Sequence, residues 1–72
     1  MVNDLEYDLL TTLQSKLEAL EAYDIYLEDA EEAGDQEVQQ LFEQIRRDDE
    51  QHATRLREHL ARILSASPDG NR

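Results

Sequence analysis

Apolar side chains recur along this chain at alternating spacings of four and three. In its second half, Val38, Phe42, Ile45, Asp49, His52, Leu56, His59 and Ile63 form such a track, which is a heptad seam facing another helix. In its first half, Leu10, Leu13, Leu17, Leu20, Asp24 and Leu27 do the same. Beside that seam runs a second stripe of Ala19, Tyr23, Tyr26, Ala30 and Ala33, and Leu41, Leu60 and Leu64 widen the apolar face of the second half.

The punctuation fits two helices. Asn3 can cap a helix whose third residue is Glu6, the reciprocal arrangement of a capping box. No glycine or proline follows until Gly34, which supplies a left-handed stop, and Asp35 can cap a second helix. Ser65-Ala66-Ser67-Pro68-Asp69-Gly70 then breaks the pattern. The sequence therefore predicts one domain over 1–66, with helices over 4–33 and 36–65, a turn at 34–35, and a flexible tail over 67–72.

Each helix of about 30 residues is about 45 Å long, and so short a turn makes the pair antiparallel. Both apolar faces are wider than one antiparallel partner covers. Two hairpins back to back would bury them, giving an all-α antiparallel hairpin that dimerises into a four-helix bundle. The expected partner is therefore another copy, in a homo-oligomer of at least two chains.

Composition narrows the chemistry. A chain of 72 residues buries only a thin core by itself, and without cysteine it has neither disulfides nor thiolate zinc sites. Eighteen acids against seven lysines and arginines give a net charge of −11, a field that disfavours nucleic-acid binding. The charge is uneven, because Lys16 is the sole lysine or arginine before Arg46. Opposite-sign surfaces of this kind could help helices of different subunits meet. No apolar run reaches the roughly 18 residues of a membrane span, and the first residues lack a signal-peptide pattern. A cytoplasmic location is the expectation.

The polar residues inside the seam carry whatever chemistry there is. Asp49 and His52 lie three apart and share a helical face. A buried carboxylate and imidazole need partners, and a metal ion is one way to satisfy both. That ligand pair suits iron, manganese or zinc. Equally, polar groups at heptad core positions can set register and oligomer state while binding nothing. His59, one heptad beyond His52, is a partner behind the ligands or a satisfied interface histidine near the helix end. Tyr23 and Tyr26 read as packing residues with a wet hydroxyl, and Asp24 as the ion-pair partner of an arginine across the interface. No nucleophile–base pair or phosphate-binding loop is present.

Taken together, Leu20-Glu21-Ala22-Tyr23-Asp24-Ile25-Tyr26, Ala33-Gly34-Asp35, Phe42, the run Asp48-Asp49-Glu50-Gln51-His52-Ala53 and Leu56 resemble the ferritin-like superfamily. The resemblance runs from about Leu13 to Leu64 and is to the short rubrerythrin-like and encapsulated-ferritin proteins, single hairpins that complete a four-helix bundle by dimerisation. It implies an inter-subunit iron site, di-iron or another divalent metal, with Asp49 and His52 as ligands and Tyr26 against the metal. The implied activity is ferroxidase-type oxidation or storage of iron. Association with an encapsulin shell is implied by analogy alone.

Two departures stand out. The family places a ligand glutamate seven residues before that tyrosine, where this chain has Ala19, and Asp49 replaces the family's glutamate. Glu18 and Glu21 flank the gap, but Glu18 points about 100° from the direction of Ala19. In encapsulated-ferritin relatives the positions of these two glutamates line a secondary cation site, which Glu18 and Glu21 could retain. The alternative expectation is a metal-free ferritin-like oligomerisation or adaptor module.

Overall fold

The computed structural model describes residues 4–66 and contains two α-helices, α1 over Asp4–Glu32 and α2 over Gln36–Ala66. Both bounds agree with the sequence pattern to within one residue. The expected Asn3 cap and the tail over 67–72 lie outside the described residues.

The turn forms for the reasons the sequence supplies. Gly34 has φ 69°, in the left-handed region that a side chain rarely tolerates. Its N–H donates to the Glu31 carbonyl at 3.0 Å, while that of Asp35 reaches back to the Ala30 carbonyl at 3.1 Å. This is the paired 5→2 and 6→1 closure of a Schellman stop. The Asp35 carboxylate in turn accepts from the Val38 N–H at 3.1 Å, capping α2. One residue thus closes the first helix and opens the second.

The tracks that meet differ from the apolar tracks by a single residue in places. On α1 one track holds the two buried residues, Tyr23 and Ala30, with half-buried Leu9, Leu13, Lys16, Leu20 and Leu27. Leu10 and Asp24, expected in the seam, are exposed, whereas Leu17 is half-buried. On α2 the contact runs through Phe42, Arg46, Asp49, Ala53, Leu56, Leu60 and Ile63, so Ala53 and Leu60 replace the expected His52 and His59. Adjacent heptad tracks lie about 100° apart, and in both helices two of them are apolar enough to serve. Ala30 and Ala53, small residues on the observed track, are only 5% and 2% exposed.

Two flanks result. Asp24, expected to pair with an arginine across the interface, pairs with Arg46 of its own hairpin, Nη1 donating to Oδ1 at 2.6 Å. On the opposite flank, Tyr26 leans on Phe42 with ring centroids 5.6 Å apart and on Tyr23 at 6.0 Å edge to face. Tyr26 and His52 each stand three residues beyond a seam residue, Tyr23 and Asp49, which rotates each by about 60° to the same side. In an antiparallel pair, equal rotations bring both to one face of the hairpin, here called the open face.

The core is thin. Apart from Asp49, the buried side chains are Tyr23, Ala30, Ala53 and Leu60, and among the described residues no large side chain is fully enclosed. Leu5, Leu10, Ile25, Tyr26, Leu41 and Leu64 remain exposed. No helix among the described residues is long and apolar enough to cross a membrane.

Candidate polar site in the helix seam

Among the described residues Asp49 is the one buried charged residue, 6% exposed in the middle of α2. Its position is fixed by the Phe42–Asp49–Leu56 heptad, which turns it toward α1. Two residues of α1 meet it. Lys16 Nζ donates to Oδ1 at 2.8 Å, and Tyr23 Oη donates to Oδ2 at 2.6 Å. These two donors are seven residues apart, two helical turns, so they grip the carboxylate from above and below. Ala19, level with Asp49 between them, presents only a methyl group and leaves them room.

The electrostatics follow from those contacts. The Lys16 ammonium, then the Tyr23 hydroxyl, hold the Asp49 carboxyl below its ordinary value, against the opposing effect of burial. The same hydrogen bond, with burial and the negative charge of Asp49, pushes the Tyr23 hydroxyl up to about 12. No buried side-chain polar atom among the described residues lacks a partner, so the seam carries its charge without an orphaned group.

A pH prediction follows for Tyr23. A hydroxyl whose folded value is raised stabilises the fold fully below its ordinary value near 10, and that contribution is lost as pH rises through about 12. Ultraviolet titration of the three tyrosines is expected to show one ionising late. Between those limits, urea unfolding of wild type should weaken with pH more steeply than that of Tyr23→Phe. Equal slopes in the two proteins would contradict the buried hydrogen bond.

The residues expected to bind metal lie in separate places. Asp49 and His52 are neighbours, but His52 Nδ1 is 3.6 Å from Oδ1, beyond hydrogen-bond reach, and its side chain is 56% exposed on the open face. His59 is also exposed and meets Arg62, with Nη2 and Nδ1 3.3 Å apart. Tyr26 lies on the open face toward the turn, against Phe42. Glu18 and Glu21 are exposed. They lie about 140° and 160° round α1 from Tyr23, and Glu18 accepts a hydrogen bond from Gln14 at 3.4 Å.

Within one hairpin this donor set fits a metal poorly. Among the described residues no group of three or more histidine, aspartate or glutamate side chains is placed to hold an ion. Each Asp49 oxygen already accepts a short hydrogen bond, and the adjacent charge is an ammonium that would compete with a metal for the same carboxylate.

Lys16 is the residue that reading the sequence for chemistry passed over. Its signal was present: the sole basic residue of the first half lies on the same four-and-three track as Leu9, Leu13 and Leu20. A seam lysine on one helix and a seam aspartate on the other are natural partners. What the fold and the site define is an all-helical hairpin with a charge-paired polar seam. Comparison with protein-family models, with curated proteins and with solved structures finds no match.

Proposed function

We propose that the chain is a self-associating helical hairpin, two copies of which complete a ferritin-like four-helix bundle that serves as a metal-free oligomerisation or adaptor module. The observation that carries this reading is the Lys16–Asp49–Tyr23 cluster, in which Lys16 supplies the countercharge to the buried carboxylate. The thin core and the exposed Tyr26, Leu41 and Leu64 support self-association, because a two-helix chain of this size gains stability mainly by covering such surface.

Native mass in the presence of a chelator tests the reading, together with His52→Leu. An even-numbered oligomer is expected, retained in His52→Leu with equal or greater stability, since an apolar group replaces a polar one at the covered face. A monomer in chelator, or a clear loss of stability in His52→Leu without metal, would defeat it.

A second reading is a ferritin-like metal protein. It is favoured by the position of His52, adjacent to Asp49 and turned to the face where another copy would bring a second such pair. Asp49 and His52 of both copies would be the donors, with iron or another divalent ion between them. Lys16 would first have to leave the carboxylate.

A further inference from the structure

Each helix carries two neighbouring tracks that apolar content does not separate. On α1, Leu13, Leu20 and Leu27 belong to both. The observed track adds Leu9, Lys16 and Tyr23, and its neighbour Leu10, Leu17 and Asp24, so each has one charged side chain. On α2, Phe42, Asp49, Leu56 and Ile63 are common to both tracks. The observed one adds Arg46, Ala53 and Leu60, and its neighbour Ile45, His52 and His59. A second packing of the same hairpin, with Leu10 and Leu17 on one side and Ile45 and His52 on the other, would bury a comparable apolar seam.

Asp49 breaks the tie. Because it belongs to both tracks of α2, its carboxylate enters the seam whichever track is used. In the observed packing Lys16 and Tyr23 donate to it at 2.8 and 2.6 Å. In the second packing the corresponding residues of α1 are Leu17 and Asp24, an apolar group and another acid. The carboxylate would lose both donors and gain a like charge, which a desolvated seam tolerates poorly.

We infer that the Lys16–Asp49–Tyr23 cluster selects the track on which the two helices meet, and that Asp49 holds off a second packing close in energy to the first. Polar groups at seam positions are known to fix register in this way, at some expense of stability. The choice is made within one hairpin and holds whether or not copies associate. It also determines what the open face presents, because Ile45 and His52 leave that face when their track turns into the seam.

Asp49→Leu removes the selector and leaves an apolar residue common to both tracks. Lys16 and the Tyr23 hydroxyl then lack their acceptor in the observed packing, whereas the second packing loses its buried acid. Leucine and alanine methyl groups, labelled with carbon-13 and exposed to a soluble paramagnetic agent, report the track by nuclear magnetic resonance. Ala53 is 2% exposed and Leu10 48% exposed. Both lie away from the open face, Leu10 about 160° round α1 from Tyr26 and Ala53 about 100° round α2 from His52, so self-association does not mask them. Wild type is expected to show a shielded Ala53 and an accessible Leu10. In Asp49→Leu the second packing should reach at least about a tenth of the population, a gap within about 1.4 kcal/mol. It would be seen as a second set of signals, or as averaged shielding in which Leu10 gains protection and Ala53 loses it. Adding Lys16→Met restores an apolar side chain to the observed track and should return the pattern toward that of wild type. Wild-type shielding in Asp49→Leu would overturn the inference, because apolar packing alone would then choose the track. Loss of helical circular dichroism in that variant would overturn it too, since a second packing close in energy would keep the chain folded.

Discussion

Replacing Lys16 by methionine is expected to lower the unfolding free energy by about 2 kcal/mol, and adding Asp49→Leu to that variant is expected to restore part of the loss, the Tyr23 hydroxyl remaining without its acceptor. The reason is the asymmetry of a partly buried ion pair. Asp49 is 6% exposed, whereas the Lys16 side chain is 33% exposed at the seam's edge. Removing the lysine leaves a desolvated carboxylate with only the Tyr23 hydroxyl as a partner. Such half-pairs typically cost about 3–5 kcal/mol when fully buried, and the exposure of Lys16 reduces that figure.

Asp49→Leu alone is milder. The freed ammonium can swing into water, so the main cost is an unpaired Tyr23 hydroxyl, about 1–2 kcal/mol. With both replaced, the seam gains apolar packing in place of a desolvated pair, which is often neutral or stabilising. Urea denaturation of the four proteins gives the coupling energy. Simple additivity of the two single variants would show that the ion pair contributes nothing specific.

The second large effect is expected at the open face. Ile45→Glu places a carboxylate on the half-buried flank beside Asp49, on the face that the proposed self-association would cover. Self-association is expected to weaken about 100-fold, equivalent to about 2.7 kcal/mol. Among the described residues the hairpin alone encloses no large side chain fully, so dissociation exposes it to unfolding and the melting temperature should become strongly concentration-dependent. Ile25→Glu is the control. Ile25 is 59% exposed, about 160° round α1 from Tyr23, and this change should leave mass unaltered and stability within about 0.5 kcal/mol. Equal effects of the two substitutions would contradict an interface on the open face.

Much of the fold was legible in the residues because it rests on local rules. Gly34 and Asp35 define the turn through backbone conformation and a side-chain cap, neither of which depends on distant contacts. The heptad track that faces the partner helix was less legible. Leu10 and Leu17 are as apolar as Leu9, and Ile45 is more apolar than Ala53, so periodicity alone does not choose between neighbouring tracks. The burial of Ala30 and Ala53, and the fit of Asp49 to Lys16 and Tyr23, are three-dimensional facts.

The candidate site was half legible for the same reason. The pairing of Asp49 with His52 follows from their spacing on one helix, and the structure keeps them adjacent. The partners of Asp49 across the seam required the relative height and rotation of α1. Ala19, noticed as the place of an absent carboxylate, takes on a different meaning beside them. It stands level with Asp49, and the lysine one turn earlier supplies a positive charge to the remaining acid.

Metal content distinguishes the two readings of that exchange most directly. Wild type and Lys16→Met would be loaded anaerobically with Fe(II), desalted, and assayed for iron per chain alongside native mass. The account predicts an oligomeric wild type that retains no stoichiometric iron, because Lys16 already neutralises Asp49. About one iron per chain in wild type, lost in His52→Ala, would contradict it and place a metal where the ammonium is seen to lie.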